Sequence, residues 1–317
     1  MGKRVWLIGA GLMARDYAKV LNALETGFLA IGRGEKSAHD FESETGNKVI
    51  SGGLDQFLSA KPELPESAIV AVGIEALSET TQLLLKYGVK KILLEKPGVG
   101  YPEEINELVQ LTQEKDAQVL LAYNRRFYTS IIKAKEIIEQ DGGVTSFNFE
   151  FTEWSHVIKD LKKTEAEHHN WFLGNSTHIV DSAFYLCGKP KEISTYVSGE
   201  GNLNWHPKSS NFSGAGITET GALFAYHANW EAPGRWAIEV LTKKHRLIFK
   251  PIEKLQIQEI GSIAVNEVNS IDYSLDEQYK PGLYLQTKAF LEGDCGEFCN
   301  VFEQQKAMEC YRGMSNY

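Results

Sequence analysis

The chain has 317 residues, enough for two ordinary domains with a core each. Hydrophobic residues make up 43% and charged residues 24%, which is typical of a folded globular protein and excludes a disordered or fibrous one. The formal net charge of −9 argues against nucleic acid or an anionic membrane as the partner, because such partners need clustered Lys and Arg. A small molecule is therefore the expected partner.

Neither a membrane span nor a signal peptide is predicted. No apolar run reaches the roughly 18 residues of a membrane span, and glycines end the first apolar run soon after Ile8. We therefore expect a cytoplasmic protein. The four cysteines are too few for a disulfide scaffold and lack the histidine spacing of a zinc site, so we expect free thiols and no structural metal.

Residues 1–125 alternate short apolar runs with amphipathic segments, the rhythm of strands and crossover helices. Near-continuous apolar runs are typical of parallel strands covered on both faces, so this part is predicted to be a doubly wound α/β domain. The predicted strands are Val5 to Ile8, Phe28 to Ile31, Lys48 to Ile50, Ala68 to Val72, Lys90 to Leu94 and Val119 to Ala122. The predicted helices are Leu12 to Leu24, Ala38 to Glu44, Leu77 to Tyr87 and Glu103 to Glu114.

Residues 126–317 are predicted to form a second, α+β domain. After a helix over Tyr128 to Gln140, the stretch Ser146 to Thr152 alternates aromatic and polar residues, which indicates an antiparallel sheet with one wet face. The polar, glycine-containing stretch Gly199 to Gly216 predicts a long loop. Further strands are predicted at Glu192 to Val197, Thr218 to Trp230, Trp236 to Leu241, Arg246 to Lys250 and Leu255 to Ile260. Helices are predicted at Thr177 to Leu186, Leu283 to Leu291 and Val301 to Tyr311, and the last two can pack back on the first domain.

A glycine-rich turn lies between the first strand and the first helix. Gly9 permits the tight turn, Gly11 lets backbone approach a pyrophosphate, and Ala14 lets helix and strand pack closely. The amino terminus of the helix, with Leu12 and Met13, then faces the phosphates. This pattern predicts a dinucleotide site.

The end of the second strand bears on which dinucleotide is bound. A carboxylate about 20 residues after the glycine turn usually binds the ribose 2′-hydroxyl of NAD, whereas arginine accommodates the 2′-phosphate of NADP. Here Gly32 takes the place of the acid, and Arg33, Lys36 and Ser37 follow it. NADP is therefore the preferred prediction and NAD the alternative, since Arg33 can also be a solvated surface charge.

The turn Glu95-Lys96-Pro97 follows the apolar run Ile92-Leu93-Leu94. A lysine at the carboxyl end of a buried parallel strand stands where open α/β sheets bind ligands. Beside a cationic nicotinamide, its pKa would fall and it could exchange a proton with a substrate. Lys96 is thus the leading catalytic candidate.

The chain resembles the glucose-fructose oxidoreductase and inositol dehydrogenase (Gfo/Idh/MocA) family over nearly its whole length, because four motifs occur in that family's order and spacing. The resemblance implies an amino-terminal Rossmann domain and a carboxyl-terminal domain with an open, mainly antiparallel sheet that mediates homo-oligomerisation. It also implies a nicotinamide cofactor used on sugars, cyclitols or related compounds. The motifs are Gly9-Ala10-Gly11-Leu12-Met13-Ala14, Glu95-Lys96-Pro97, Asn124-Arg125-Arg126-Phe127 and His178-Ile179-Val180-Asp181.

By the same resemblance, Lys96 contacts the substrate and the nicotinamide ribose, and His178 is the second catalytic or substrate-orienting group. The chain departs from the family in two places. Gly174 stands where many members carry an aspartate four residues before the histidine, so the acid–base role falls more on Lys96. The Thr-Pro-Asn segment after the fourth strand is replaced by Val72-Gly73-Ile74-Glu75.

Three residues are predicted to bind substrate. Asn124 and Arg125 follow the sixth strand, and Trp171 offers an aromatic face to a sugar ring, whereas Arg126 can equally be a structural ion-pair partner. The polar stretch Glu165 to Asn170 before Trp171 is interpreted as a solvated connection. The residues predicted to bind the cofactor are Gly9, Gly11, Leu12, Met13, Arg33, Ser37, Gly73, Glu95 and Lys96.

The leading hypothesis is an NAD(P)-dependent oxidoreductase acting on a secondary alcohol or ketone of a sugar, cyclitol or sugar derivative. One alternative is a sensor or regulatory subunit that binds NAD(P) without turnover, which the missing aspartate prompts. Another is reduction of a compound other than a sugar, because a fold does not fix a function.

Overall fold

The computed structural model describes residues 5–317, which form two compact units. The first contains the described residues up to Asn124 together with Leu275–Ala307. The second contains Arg125–Ser274 and Met308–Tyr317. The chain therefore returns to its first unit after most of the second is complete.

The first unit is built on a twisted parallel sheet whose central strands are buried along their whole length, as the apolar runs predict. The six strands lie in the order β6-β5-β4-β1-β2-β3, and all their pairings are parallel. They are β1 (Val5–Ile8), β2 (Phe28–Ile31), β3 (Val49–Ile50), β4 (Ser67–Val70), β5 (Lys91–Leu94) and β6 (Gln118–Leu121).

Five helices connect these strands. Short 3₁₀ turns at Ile74–Ala76 and Pro102–Glu104 precede the fourth and fifth. The third, over seven residues, has no counterpart among the predicted elements. The helices are α1 (Leu12–Ala23), α2 (Glu35–Thr45), α3 (Gly53–Ser59), α4 (Leu77–Tyr87) and α5 (Ile105–Glu114).

The second unit is built on an eight-stranded sheet in the order β14-β13-β12-β11-β7-β10-β9-β8. All its pairings are antiparallel except that of β7 with β10. The strands are β7 (Ser146–Glu150), β8 (Pro190–Ser198), β9 (Asn211–Thr218), β10 (Leu223–Asn229), β11 (Ala237–Leu241), β12 (His245–Phe249), β13 (Gln256–Glu259) and β14 (Asn266–Glu267).

Helices cover one face of this sheet. Phe184 packs its ring edge-on against Phe147 and Phe149 of β7, at 6.0 and 5.7 Å between centroids. A 3₁₀ turn at Asn124–Phe127 leads into this unit, and a π-helical turn at Phe172–Ser176 joins its last two helices. The helices are α6 (Thr129–Gln140), α7 (Ser155–Ile158), α8 (Glu165–His169) and α9 (Thr177–Cys187).

The last segment completes the first unit. Its elements are α10 (Ser274–Gln278), α11 (Leu283–Glu292), β15 (Cys299–Asn300) and the part of α12 (Val301–Ser315) that precedes Met308. Helix α11 buries Leu283 and Phe290 and packs on α1, while β15 pairs antiparallel with β6. The sequence-based division placed residues 275–307 in the second domain, apart from helices packing back. In the structure the whole stretch belongs to the first unit.

The predicted loop over Gly199 to Gly216 is wrong from Asn211 onward, because β9 begins there. A Cβ on Gly214 would lie 2.4 Å from Cε1 of Tyr226, and one on Gly216 would lie 2.6 Å from Cζ of Phe224. The rings of β10 thus cover the glycines of β9, and the glycines reflect close packing rather than a loop. The predicted strand over Thr218 to Trp230 is instead the turn and second strand of this hairpin.

The stretch Glu165 to Asn170, interpreted as a solvated connection, contains no buried residue but is mostly helical. Residues 165–169 form α8, which starts with a capping box in which Thr164 and Glu167 satisfy each other's backbone N–H groups. The predicted fold class is confirmed: a doubly wound parallel sheet is followed by an α+β unit with a mainly antiparallel sheet. Within residues 5–317 no helix is both long and apolar enough to cross a bilayer.

Candidate active site

The turn between β1 and α1 has room only for glycine at its first position. Gly9 has φ +123°, and a Cβ there would lie 2.2 Å from the carbonyl oxygen of Ala71. Its N–H donates to the carbonyl of Ile31 at 2.8 Å. The turn is therefore locked against the ends of both neighbouring strands, β2 and β4.

The amino terminus of α1 is left open. Gly11 is its N-cap and provides no side-chain cap, and a Cβ on Gly11 would meet nothing within 4 Å. The first turn carries no acidic residue, and Leu12 is 74% exposed. Uncapped N–H groups with the positive end of the helix dipole suit an anion. These residues fit the pyrophosphate of a dinucleotide.

Lys280 adds a positive charge at this helix end. Its Nζ lies 2.7 Å from Sδ of Met13, in the first turn of α1. The two residues are 267 positions apart in the chain, so no local sequence pattern could have indicated the pairing.

A second open glycine lies at the same edge of the sheet. Gly73 is exposed, precedes the 3₁₀ turn Ile74–Ala76, and would carry a Cβ into empty space. Because β4 pairs directly with β1, Gly73 and Gly11 follow neighbouring strand ends. The replacement of the family's Thr-Pro-Asn segment thus leaves the backbone at this edge accessible.

The end of β2 has no room for the carboxylate that NAD-binding sheets usually carry there. A Cβ on Gly32 would lie 2.9 Å from Cγ1 of Val49 and 3.1 Å from Cβ of Ala10. Arg33 follows on the surface, and Ser37 Oγ donates to the carbonyl oxygen of Gly34 at 2.9 Å. Arg33 and Lys36 are both exposed cations beside this strand end, and Lys36 pairs with Asp40 at 2.9 Å.

Buried partners hold Glu95 and Pro97 on either side of Lys96. The hydroxyl of Tyr17 donates to Oε1 of Glu95 at 2.8 Å, and the amide of Gln304 donates to the carbonyl oxygen of Pro97 at 2.9 Å. Burial raises the pKa of Glu95, while the charge of Lys96 acts to lower it. The Lys96–Pro97 peptide is cis. The backbone on both sides of Lys96 is thus fixed by side chains.

Sequence reasoning missed these supporting side chains. Gln304, fully buried, also exchanges hydrogen bonds with the hydroxyl of Tyr123, and the Tyr17 hydroxyl lies 3.4 Å from Oε1 of Gln286. Two of them come from α11 and α12, far along the chain. Gln286 and Gln304 are polar residues on the buried face of a helix. Because buried polar groups are normally hydrogen-bonded, this pattern could have indicated their supporting role.

In the second unit, His178 is the second residue of α9 and is almost completely buried. The π-helical turn Phe172–Ser176 comes directly before it, and such turns are frequent at functional sites. The ring of His178 lies 6.3 Å from that of Trp236, centroid to centroid.

A carboxylate that the sequence analysis missed lies beside this turn. Glu153 is 1% exposed, and its Oε1 accepts hydrogen bonds from Ser176 Oγ at 2.7 Å and from Asn175 Nδ2 at 3.0 Å. Burial raises its pKa, and the two hydrogen bonds and Arg235 act against that rise. The signal was present, because Glu153 continues the buried register of β7.

Two guanidinium groups flank the buried ring of Trp236. Arg125 lies 4.8 Å and Arg235 4.6 Å from its centroid. Arg235 also lies over Trp154, at 4.7 Å, and its Nη1 is 3.8 Å from Oε2 of Glu153. Both distances to Trp236 suit cation–π contacts.

Arg125 and Arg126 are adjacent but have different surroundings. Arg126 makes a bidentate ion pair with Asp181, at 2.9 Å from Nε and 2.6 Å from Nη2, and takes the structural role considered for it. Arg125 has no hydrogen-bond or ion-pair partner within residues 5–317, and its Nε is buried. Burial lowers its pKa.

The other two predicted substrate residues, Asn124 and Trp171, make contacts within the protein. The amide of Asn124 donates to the carbonyl of Pro281 at 2.8 Å, inside the first unit. Trp171 packs edge-on against Trp205 at 5.9 Å and lies 6.2 Å from the ring of His168. Trp171 therefore packs with Trp205 and His168, whereas Arg125 and His178 both contact Trp236.

Residues 3–123 match the sequence profile of an oxidoreductase family with an NAD-binding Rossmann fold. This match covers the first unit up to residue 123, and over these residues the predicted resemblance to the Gfo/Idh/MocA family is confirmed. An uncharacterised oxidoreductase of Schizosaccharomyces pombe is 28% identical over 139 residues, which cover 43% of this chain and 38% of the relative.

Solved structures of dehydrogenases share the fold over the whole chain. Levoglucosan dehydrogenase, in complex with NADH and levoglucosan, has a TM-score of 0.80 at 16% identity and covers 100% of this chain and 97% of its own. UDP-N-acetylglucosamine 3-dehydrogenase from Acidithiobacillus ferrooxidans has a TM-score of 0.75 at 13% identity, with coverages of 100% and 97%. At these identities the likeness establishes the fold alone.

Gly174, where the resemblance leads us to expect an aspartate, lies inside the π-helical turn before α9. Glu153, in the segment just after β7, accepts hydrogen bonds from Ser176 and Asn175 of the same turn. A buried carboxylate therefore lies next to the helix that carries His178, at a different position in the sequence from the expected aspartate.

Proposed function

We propose that this chain is an NAD(P)-dependent oxidoreductase that acts on a secondary alcohol or ketone of a sugar, cyclitol or sugar derivative. The observation that carries the proposal is the pairing of an open α1 terminus with a fixed Glu95-Lys96-Pro97 turn in one sheet. Two structurally similar enzymes are named for levoglucosan and for UDP-N-acetylglucosamine, which supports a carbohydrate-like substrate.

When bound, the nicotinamide supplies a hydride acceptor or donor. The backbone at Gly9, Gly11, Leu12 and Met13 would hold the pyrophosphate, with Gly73 beside it. Lys96 would take the proton from the substrate hydroxyl during oxidation and return it during reduction. Glu95, hydrogen-bonded to Tyr17, keeps the Lys96 backbone in place.

His178 is the proposed second catalytic or orienting group, because imidazole exchanges protons near neutral pH. Arg125, with its open guanidinium, is the proposed substrate contact beside it. Asn124 remains a candidate substrate contact, and so does Trp171, whose aromatic face suits a sugar ring.

For the cofactor, we propose NADP as the preferred dinucleotide and NAD as the alternative. The lack of room at Gly32 and the exposed cation at Arg33 support this preference, and Ser37 is a further candidate for the phosphate. Tryptophan quenching during parallel titrations with NADPH and NADH tests it. Arg33→Ala should weaken NADPH about 10-fold or more and leave NADH unchanged. Lys48→Ala, which removes an exposed ion pair on Glu42, is the control.

The reaction itself is tested by nicotinamide absorbance with a broad panel of sugars, sugar nucleotides and cyclitols. We expect turnover of at least one compound, and Lys96→Ala should lose at least about 100-fold in kcat while dinucleotide affinity stays within a few-fold. Binding of dinucleotide without turnover of any compound would favour a sensor or regulatory subunit. The absence of the aspartate at Gly174 makes that the second candidate.

We also propose a homo-oligomer, with the uncovered face of the second sheet as the contact surface. Tyr196 on β8 is 71% exposed and Leu223 on β10 is 62% exposed. Sedimentation velocity should give a mass above that of one chain, and Tyr196→Asp with Leu223→Asp should lower it. A cytoplasmic location remains a prediction.

A further inference from the structure

Building on the proposed function, we infer that the substrate carries a carboxylate and that Arg125, held against Trp236, binds it. The substrate class would then be a sugar acid or another polyhydroxy acid rather than a neutral sugar. The carboxylate is a binding group only, so the chemistry at the alcohol carbon is unchanged.

The first observation is the isolation of the Arg125 charge. Its guanidinium lies 4.8 Å from the centroid of Trp236 and 5.9 Å from that of Tyr128, and its Nε is buried. Among the described residues no ion pair involves Arg125, and the nearby Glu153 pairs with Arg235 instead. Arg125 as a whole is half-buried. A guanidinium stays charged at all physiological pH values, and charges removed from water are normally paired. The missing partner is therefore expected to be a bound anion.

The second observation is the contrast with the other arginines nearby. Arg126 already has both oxygens of Asp181, and Arg235 has the carboxylate of Glu153 at 3.8 Å. Arg125 alone in this trio lacks a carboxylate. The two aromatic rings restrict its orientation, and a restricted planar guanidinium suits a planar carboxylate that binds through two parallel hydrogen bonds.

A carboxylate suits this place better than a phosphate does. Glu153 lies beside Arg235, and the negative charges of Glu253 and Glu153 act on Arg125 from a distance. One uncompensated guanidinium can neutralise one negative charge, whereas a phosphate monoester carries up to two near neutral pH. The position near His178, through their shared contact with Trp236, puts the anion close to the proposed reacting group.

The test is a comparison of matched acids and neutral sugars as substrates. Glucuronate is compared with glucose, galacturonate with galactose, and gluconate with sorbitol, using the preferred dinucleotide. We expect kcat/KM to be at least about 100-fold higher for an acid than for its neutral counterpart, because the unpaired charge finds its partner only in the acid. Added salt should raise KM for the acid and leave the neutral compound unaffected.

Arg125→Gln should reduce kcat/KM for the acid by about 100-fold, and that loss should exceed the loss for the neutral sugar by at least about 10-fold. Arg125→Lys keeps the charge but loses the planar, two-donor edge, so it should be intermediate. Arg246→Gln, which breaks an exposed ion pair with Glu239 in the same unit, is the matched control and should behave as wild type. Dinucleotide affinity and melting temperature report whether each variant is folded.

Equal kcat/KM for acids and neutral sugars would overturn the inference, as would an equal loss on both in Arg125→Gln. A preference for sugar phosphates, or a selective loss of dinucleotide binding in that variant, would overturn it as well. If no compound is turned over, the proposed function fails. Calorimetry on the protein with bound dinucleotide then tests separately whether Arg125 binds a carboxylate. Binding of an acid that Arg125→Gln abolishes would uphold the carboxylate site, and no binding of any acid would reject it.

Discussion

Among single residues, Glu153 most changes the interpretation of the His178 region. It is a buried carboxylate in the segment just after β7, and it accepts two hydrogen bonds from the turn before α9. A residue that anchors this turn fixes where the helix begins, and therefore where His178 lies. Its role is that of a positioning residue.

Two substitutions of Glu153 should separate the contribution of its hydrogen bonds to stability from that of its charge. Glu153→Ala leaves Ser176 and Asn175 without their acceptor and should lower the free energy of unfolding by about 2–4 kcal/mol. Glu153→Gln keeps one acceptor and should lower it by about 1 kcal/mol. Urea denaturation measures both, with Glu136→Gln on the exposed face of α6 as the control. Equal stability of the alanine variant and wild type would refute the anchoring role.

Some residues of the candidate site could be predicted from the sequence and others could not. Lys96 and Gly9 were predictable because each depends on a local strand, turn and helix pattern. Lys280 and Gln304 were not, because they reach Met13 and Pro97 from the carboxyl-terminal segment, and no local pattern encodes such contacts. Glu153 was missed because it lies beyond both the predicted strand, which ended at Thr152, and β7 itself, which ends at Glu150.

At the scale of elements, the turn from β1 to α1 offers a matched pair of substitutions. Gly9→Ala places a Cβ 2.2 Å from the Ala71 carbonyl oxygen at φ +123°, so it should destabilise the protein by about 2–4 kcal/mol and abolish dinucleotide binding. Gly11→Ala meets no atom within 4 Å and should leave stability within about 0.5 kcal/mol of wild type.

The informative readout is the dinucleotide affinity of Gly11→Ala, measured by tryptophan quenching. Its methyl group would occupy the space in front of the uncapped helix end, so affinity should fall about 10-fold or more despite normal stability. Unchanged affinity would mean that no phosphate approaches the backbone at this point.

Strands and helices were predicted correctly where a local apolar pattern specifies them. The prediction failed where packing against distant residues decides the structure of a glycine-containing segment. The parallel strands of the first unit were found with small boundary errors, because uninterrupted apolar runs are typical of such sheets. Strand β9 was not found, because its Gly214 and Gly216 resemble loop residues. A strand needs glycine there because the rings of Phe224 and Tyr226, and backbone carbonyl oxygens of β8, lie where a Cβ would be.

For the molecule as a whole, stability should depend on pH through His206. This residue is fully buried, its Nδ1 lies 2.7 Å from the carbonyl oxygen of Ser209, and its Nε2 lies 2.8 Å from the hydroxyl of Tyr317. Burial lowers the pKa of His206 from 6.5 to about 4. The neutral ring therefore links the long loop before β9 to the last residue of the chain.

Between pH 6.5 and about 4 the unfolded chain binds a proton at His206 that the folded protein does not. This part of the stability is fully present above pH 6.5 and is lost as the pH falls to about 4, by about 3 kcal/mol at most. Urea denaturation across this pH range measures the slope. His206→Gln should flatten it, whereas the exposed His39→Gln should not. The same slope in all three proteins would contradict the assignment.

The two-unit organisation was only partly visible in the sequence. The change from strand–helix alternation to period-two aromatics located the passage into the second unit near residue 125. The return of Leu275–Ala307 to the first unit was harder to predict, because it depends on α11 packing against α1 and on β15 pairing with β6.

The most direct test of the central claim is isotope transfer in a single turnover. The protein is mixed with reduced dinucleotide carrying deuterium at the transferable position and with the ketone form of the best substrate from the panel. We predict one deuterium on carbon in the alcohol product by mass spectrometry, with the same product formed at least about 100-fold more slowly by Lys96→Ala. An alcohol without deuterium, or no alcohol from any ketone tested, would contradict hydride transfer by this chain.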